Sequence, residues 1–273
     1  MRTFSVLFSG VVGMAVVAAG LSGCNSTRNL RRGPQGTVAI ANLPPAPEPS
    51  RVAPPPMVWA LDVLNAQGSV TVHVDPKVVL PVVTVRAPEL EDRTNPALWV
   101  ASEAVEEDGK RLLRVAAMGP EAQKHVSLYL SITVPAVDGV RVRNAGGAVE
   151  LWDVAGKVDV ESGDPVSPGS SILVKTRAPL TTGVRAVTNT GDVRVFCGEQ
   201  SSGLVDVRGA RVSVVTPALG KNGQLTGVRH DATAFAARIG TSEAPIEIRS
   251  AKGLADLRFD QKANQKANQQ AKN

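Results

Sequence analysis

From Val140 to Val195 the chain repeats one short phrase: a pair of apolar residues in alternation, then a small polar turn. The pairs are Val140/Val142, Val149/Leu151, Val158/Val160, Ile172/Val174, Val184/Ala186 and Val193/Val195. The turns reuse Asn144-Ala145-Gly146-Gly147, Ser162-Gly163-Asp164 and Thr190-Gly191-Asp192. Val140, Val149 and Val158 follow one another at nine-residue intervals, as do Val184 and Val193; insertions such as Pro165–Ser170 and Ala178–Gly183 lengthen the beat elsewhere. A strand this short cannot bury its apolar side alone. Equivalent strands laid over one another make a continuous column, and Gly, Asn and Asp permit the left-handed corners that short turns need. Only 3% of the residues are aromatic, too few to fill a wide core, whereas Val, Ile, Leu and Ala fill a narrow one. The prediction is an all-β chain built as a parallel β-helix or β-solenoid-like stack. A β-sandwich is the alternative, although it calls for longer strands and more aromatics.

The segments on either side fit this class. Trp59/Leu61/Val63 and Val70/Val72/Val74 alternate about Gln67-Gly68 and read as a hairpin-like pair. Pro81 precedes the strand at Val82–Val85, and Glu106–Lys110 is a charged turn between Leu98–Val105 and Arg111–Ala116. Val126–Val134 is the longest clean alternation. Pairs continue at Val205/Val207, Val212/Val214, Ile246/Ile248 and Leu257/Phe259. Asp231–Arg238 carries the only hint of helical period, and the beat blurs after Pro217. The domain expected from this pattern spans 58–259, followed by a polar tail over 260–273.

Residues 1–24 have a different character. Arg2 precedes an apolar run from Val6 to Ala19, and the segment ends Leu21-Ser22-Gly23-Cys24. The run is shorter than the roughly 20 apolar residues of a membrane span and fits the hydrophobic core of an export signal. Leu21, Ser22, Gly23 and Cys24 together resemble the lipobox of bacterial lipoproteins. That resemblance implies a signal peptide over 1–23, cleavage before Cys24, and a diacylglycerol thioether on the Cys24 sulfur. It implies a membrane partner reached through acyl chains, palmitate among them, and a cell-envelope location. Asn25, where inner-membrane lipoproteins of enteric bacteria carry Asp, points to the outer membrane. Residues 24–57, with PPAPEPS and APPP, read as a proline-rich tether holding the domain off that surface.

The net charge of +5 raises nucleic acid as a partner and then argues against it. Residues 58–259 hold 22 basic and 23 acidic side chains, so the excess sits on the terminal segments and not on a folded face. His73, His125 and His230 share no metal-ligand spacing, Asp164 and Asp192 read as turn residues, and no cofactor motif is present. With Cys24 acylated, Cys197 has no intramolecular partner and reads as a buried apolar residue. Glu150, Asp159 and Glu161 are spaced to stack near Arg141 and Arg143, which serves either cross-strand pairing or the paired carboxylates of a polysaccharide-cleaving enzyme. Trp59, Trp99 and Trp152 are candidate sugar-stacking platforms. Trp152, out of register with Val149 and Leu151, is the one expected to face outward.

The succession LDVLNAQGSVTVHV, VVTVRA, VSLYLSITVP, VRVRNAGGAVEL, DVAGKVDVESGD and TNTGDVRV resembles the DUF4097-type, adhesin-like β-strand repeat family over about 58–259. The resemblance implies an envelope or secreted protein and supplies no catalytic residue. The expected function is a lipid-anchored, non-catalytic domain in a structural or adhesive role, contacting envelope protein or polysaccharide. A cell-wall carbohydrate-binding module or carbohydrate-active enzyme is one alternative, and an envelope-stress or regulatory accessory protein another.

Overall fold

The columns foreseen from the repeat are present, and they line two faces. The computed structural model describes residues 34–46, 57–90, 95–107, 109–119, 126–164, 167–216 and 225–260. Cys24, the lipobox residues Leu21, Ser22 and Gly23, His125 and the tail beyond Asp260 lie outside the described residues. On the first face, β2 (Val58–Asn65), β8 (Ala136–Asn144), β10 (Val158–Ser162) and β12 (Val184–Thr188) lie parallel. On the second, β3 (Val70–Val74), β9 (Val149–Trp152), β11 (Ile172–Lys175) and β13 (Val193–Gly198) do the same. Each coil contributes one strand to each face.

The inward columns are in register. Leu113, Leu61, Val140, Val158, Val184, Ile246 and Val205 form one on the first face. Ile132, Val72, Leu151, Val174, Val195, Leu257 and Val214 form one on the second. All but Val214 are buried, within a single hydrophobic cluster. Each inward Val or Ile contributes roughly 1.5–3 kcal/mol by area.

The stacking order is not the chain order. β2 lies between β6 (Lys110–Ala117) and β8, and β3 lies between β7 (Tyr129–Val134) and β9. At the other end β17 (Pro245–Asp260) runs through both faces. Its first part is inserted between β12 and β14 (Gly203–Val215), its second between β13 and β14. The first and last coils of the repeat are therefore interior rungs. The hairpin expected from Trp59 to Val74 is corrected by this arrangement: β2 and β3 never pair, and Gly68 turns a corner between faces.

Antiparallel strands close the ends. β5 (Val100–Glu107) and β6 form the hairpin read at Glu106–Lys110. β4 (Val82–Arg86) borders β7, and β1 (Gln35–Val38) borders β4. The β1 segment, expected to belong to a free tether, is thus part of the sheet, and Ala41 bridges onward to β5 at Glu103. At the far end β14 pairs with β16 (Ala234–Ile239), which pairs with β15 (Leu225–His230). The helical hint at Asp231–Arg238 is overturned by β16: Phe235, Ala237 and Ile239 are buried at period two, and tertiary pairing overrides the alanine content.

A polar ladder holds the corners. Asn65, Asn144, Ser162, Thr188 and Ser250 stand one above another at the ends of the first-face strands, all buried. Asn65 Nδ2 donates to Asn144 Oδ1 at 3.1 Å and Asn144 Nδ2 to the Gly147 carbonyl at 2.9 Å. Thr188 Oγ1 donates to the Ser170 carbonyl at 2.7 Å and Ser250 Oγ to the Gly191 carbonyl at 2.6 Å. Each corner also brings a glycine against the rung beside it. Gly147 has φ of +86°, and a Cβ there would lie 2.3 Å from the Gly68 carbonyl oxygen. Gly253 has no such φ; the close approach of Gly191 alone, 2.0 Å from a Cβ, excludes a side chain.

Two outcomes test this architecture. Val158→Asp places a carboxylate where the wild-type side chain has no exposure, and is expected to abolish the cooperative thermal transition in circular dichroism, at a cost above ~4 kcal/mol. Its neighbour Asp159→Asn is expected to retain that transition. The ladder ends where Asn65 meets Ala117, and Asn65 Oδ1 has no donor among the described residues. Ala117→Ser is expected to supply one and to raise stability by about 1 kcal/mol in urea unfolding; a lower midpoint would contradict the ladder.

Candidate functional site: a charge ladder and an aromatic stripe

The outward positions of the first face carry charge. Across the rungs, one row reads Glu103, Arg114, Asp62, Arg141, Asp159, Arg185, Glu247, with the sign changing at every step. A second row holds Arg143 beside Glu161. Arg143 grips Asp159 with both terminal nitrogens, at 2.7 and 3.1 Å, and its Nε lies 3.6 Å from Glu161. Arg185 Nη1 lies 3.3 Å from Asp159 and 3.1 Å from Glu161, and its Nε lies 3.9 Å from Glu247. Partial burial pushes the Asp159 carboxyl up, but hydrogen bonds and charge from Arg143, then Arg185, outweigh it and hold the group below the usual carboxylate range. Partial burial likewise opposes the Arg185 charge, and Glu161 and Asp159 overcome it to raise that group.

The five residues grouped in the sequence are thus split. Asp159 and Glu161 meet Arg143, with Arg141 alongside in register, whereas Glu150 lies on the second face between Thr71 and Leu173. A carboxyl held ionised between two guanidinium groups suits cross-rung pairing; a general acid needs its proton held to higher pH. Arg185, which completes the cluster, escaped sequence reasoning because it belongs to the next coil, 24 residues beyond Glu161. The usable signal was its position one beyond Val184, matching Asp159 after Val158.

Trp152 faces outward on the second face, half-buried, as expected. Its Nε1 lies 3.4 Å from Glu150 Oε2, and Lys175 Nζ sits 5.3 Å from the ring centroid. The row continues by register: His73, Trp152, Lys175, Phe196, Arg258. Arg258 stands 5.7 Å from the Phe196 ring, so cations and aromatic rings alternate from Trp152 onward. Trp152 and Phe196 are two rungs apart, roughly 10 Å. Trp59 is core, with 1% exposure, and its buried Nε1 has no hydrogen-bond partner among the described residues. Trp99 packs partly buried against the core from a short 3₁₀ turn at Pro96–Trp99.

The remaining candidates have structural places. Cys197 is buried and free, its thiol pushed up to about 11 by burial, which suits an apolar packing residue. Asp192 accepts from the Leu254 amide at 3.0 Å and from Arg194 at 2.8 Å, and both hold its carboxyl below the usual range. It therefore ties its corner to the inserted strand β17 rather than to its own turn. His73 lies on the outward row and His230 at the end of β15. Among the described residues no three His, Cys, Asp or Glu side chains are grouped to hold a metal.

The Asp159 carboxyl, lowered in the folded state, contributes stability above the unfolded value of about 4, and that contribution drains away as pH falls through the lower folded value. Asp159→Asn is therefore expected to lower the urea midpoint at pH 7. The difference from wild type is expected to shrink below about pH 4; a difference constant from pH 7 to pH 3 would mean the charge pairing contributes nothing.

No protein-family profile matches the chain, and no curated protein does. Among solved structures it is similar to a "putative cell adhesion protein" from Clostridium sporogenes ATCC 15579, with a TM-score of 0.41 and 11% identity over 83% of this chain and 99% of that one.

Proposed function

We propose that this is a lipid-anchored protein of the bacterial cell envelope whose β-solenoid domain makes adhesive contacts and performs no catalysis. The observation that carries the reading is the stripe on the second face. Trp152 and Phe196 present rings at a fixed spacing, with Lys175 and Arg258 beside them, on strands locked by parallel pairing on both sides. Rings held this way lose little entropy when a sugar or a partner side chain stacks on them. The first face supports the same reading, because its most enclosed carboxylates are engaged by arginines across the rungs. The anchor rests on residues 1–24, where an apolar run leads to Leu21-Ser22-Gly23-Cys24. Multiple acyl chains on Cys24 hold a protein at a membrane at ~0.8 kcal/mol per buried CH2, with no spanning segment needed.

Cys24→Ser is expected to abolish metabolic labelling with palmitate and to move the protein from the membrane fraction to the soluble one; unchanged fractionation would refute the anchor. Trp152→Ala with Phe196→Ala is expected to leave folding and fractionation intact while reducing attachment of expressing cells to a polysaccharide-coated surface several-fold. Equal attachment would remove the stripe from the adhesive face.

A further inference from the structure

The charge ladder of the first face fails at one place. Beyond Glu247 the next outward residue in the row is Asp206, and in the neighbouring row Arg249 stands directly beside Arg208. Like charges on facing strand positions oppose pairing, and no other step of the row from Glu103 to Glu247 shows them. The irregularity coincides with a concavity. On β16 the outward positions opposite Arg208 and Asp206 are Ala234 and Ala236, so the surface drops there, and Arg229 on β15 rises on the far side. Thr188, Asn189, Ser250 and Thr233 line the same groove, whose volume is about 690 Å³.

The guanidinium groups around it keep free donors. Arg208 uses its Nε on Asp206 at 2.9 Å. Arg249 uses its Nε on Glu247 at 2.8 Å and reaches Asp206 through Nη2 at 3.5 Å. Arg229 is exposed and makes no ion pair among the described residues. Each guanidinium has five N–H donors in a planar fork, so most of them remain available to a planar anion. Asp231 adds one carboxylate at the rim, whose Oδ1 accepts from the amides of Thr233 and Ala234, at 2.7 and 2.8 Å, against the three guanidinium groups. The surrounding chain favours an anion as well: residues 203–259 hold 8 basic and 5 acidic side chains, whereas 58–202 hold 14 and 18.

We infer that this groove binds a carboxylate-bearing polysaccharide. The arginine forks take the carboxylate of an acidic sugar, and the exposed Asn189 amide and Thr233 hydroxyl take the ring hydroxyls. The small floor of Ala234 and Ala236 admits a pyranose ring. A nucleic-acid strand would ask for an aromatic platform, and none lines the groove. A lipid surface would ask for a collar of large apolar side chains, and Val187 is the largest such residue in the lining. The inference rests on the reading of the domain as a binding module, but the groove lies on the opposite face from the Trp152 stripe.

Calorimetric titration of the full chain in a non-glycosidic detergent tests it, with oligogalacturonate, its carboxyl-reduced neutral counterpart, inorganic phosphate and phosphatidylglycerol vesicles as probes. Oligogalacturonate is expected to bind, and carboxyl reduction to weaken binding by about tenfold or more. Arg229→Gln, which breaks no ion pair, is expected to weaken it by a similar factor at unchanged melting temperature. Arg229→Lys is expected to recover only part of the loss, because it keeps the charge without the fork. The control Lys175→Gln, on the other face, is expected to bind as wild type. Equal affinity for the reduced oligomer, an unaffected Arg229→Gln, or tighter binding of phosphate or vesicles than of oligogalacturonate would overturn the assignment. A chain that still attaches to surfaces yet ignores oligogalacturonate would lose the groove's ligand and keep the adhesive reading.

Discussion

Parallel hydrogen bonding between rungs is the interaction on which the rest of this structure depends. A strand such as Ile172–Lys175 buries two side chains and could not hold itself extended in water; with β9 on one side and β13 on the other it becomes one layer of a continuous core. The same in-register stacking produces every other regular feature. Inward Val, Leu and Ile form columns, outward residues form rows, and the corner residues Asn65, Asn144, Ser162, Thr188 and Ser250 form a ladder. A register slip of one residue on any rung would turn its apolar pair outward and its charges inward, so the alternation is self-enforcing.

Register alone does not say which rung lies beside which, because the Val pairs are nearly interchangeable. The outward charges do carry that information. Stacked in chain order, Asp62 would adjoin Glu103, and Arg114 would adjoin Arg141. In the observed order, with β2 inserted between β6 and β8, the signs alternate from Glu103 to Glu247. Each exposed pair contributes only about 0.2–1 kcal/mol, and the alternation in the observed order avoids the like-charge neighbours that chain order would create. The place where this alternation lapses is the arginine-lined groove.

Local features of this fold were legible in the sequence, and distant ones were not. Alternation placed Val140, Val158 and Ile172 inward and Trp152 outward, since parity depends only on neighbours one and two residues away. The Glu106–Lys110 hairpin was readable for the same reason. Trp59–Val74 was misread because two alternating segments about a glycine look alike whether the chain folds back beside itself or turns a corner to another face. The distinguishing signal was a short polar residue three positions before a corner glycine, Asn65 before Gly68 and Asn144 before Gly147, repeated as Thr188 before Gly191 and Ser250 before Gly253. The aromatic stripe was half visible. Trp152 stood out, but Lys175 and Phe196 join it only through register between strands more than twenty residues apart. The insertions of β2 and β17 have no local signature.

The position of β17 has a consequence for how the molecule comes into being. A ribosome delivers β12, β13 and β14 well before residue 245, yet β14 has its proper neighbour only after that residue appears. Until then the nascent chain holds a vacancy one strand wide on both faces, and closing it early would seat β14 on β12 in the wrong slot. The last sixteen-residue strand acts as a keystone, set after the courses on either side of it. The native stack is therefore reached only once residues 245–260 are available to fill the slot between β14 and its neighbours β12 and β13.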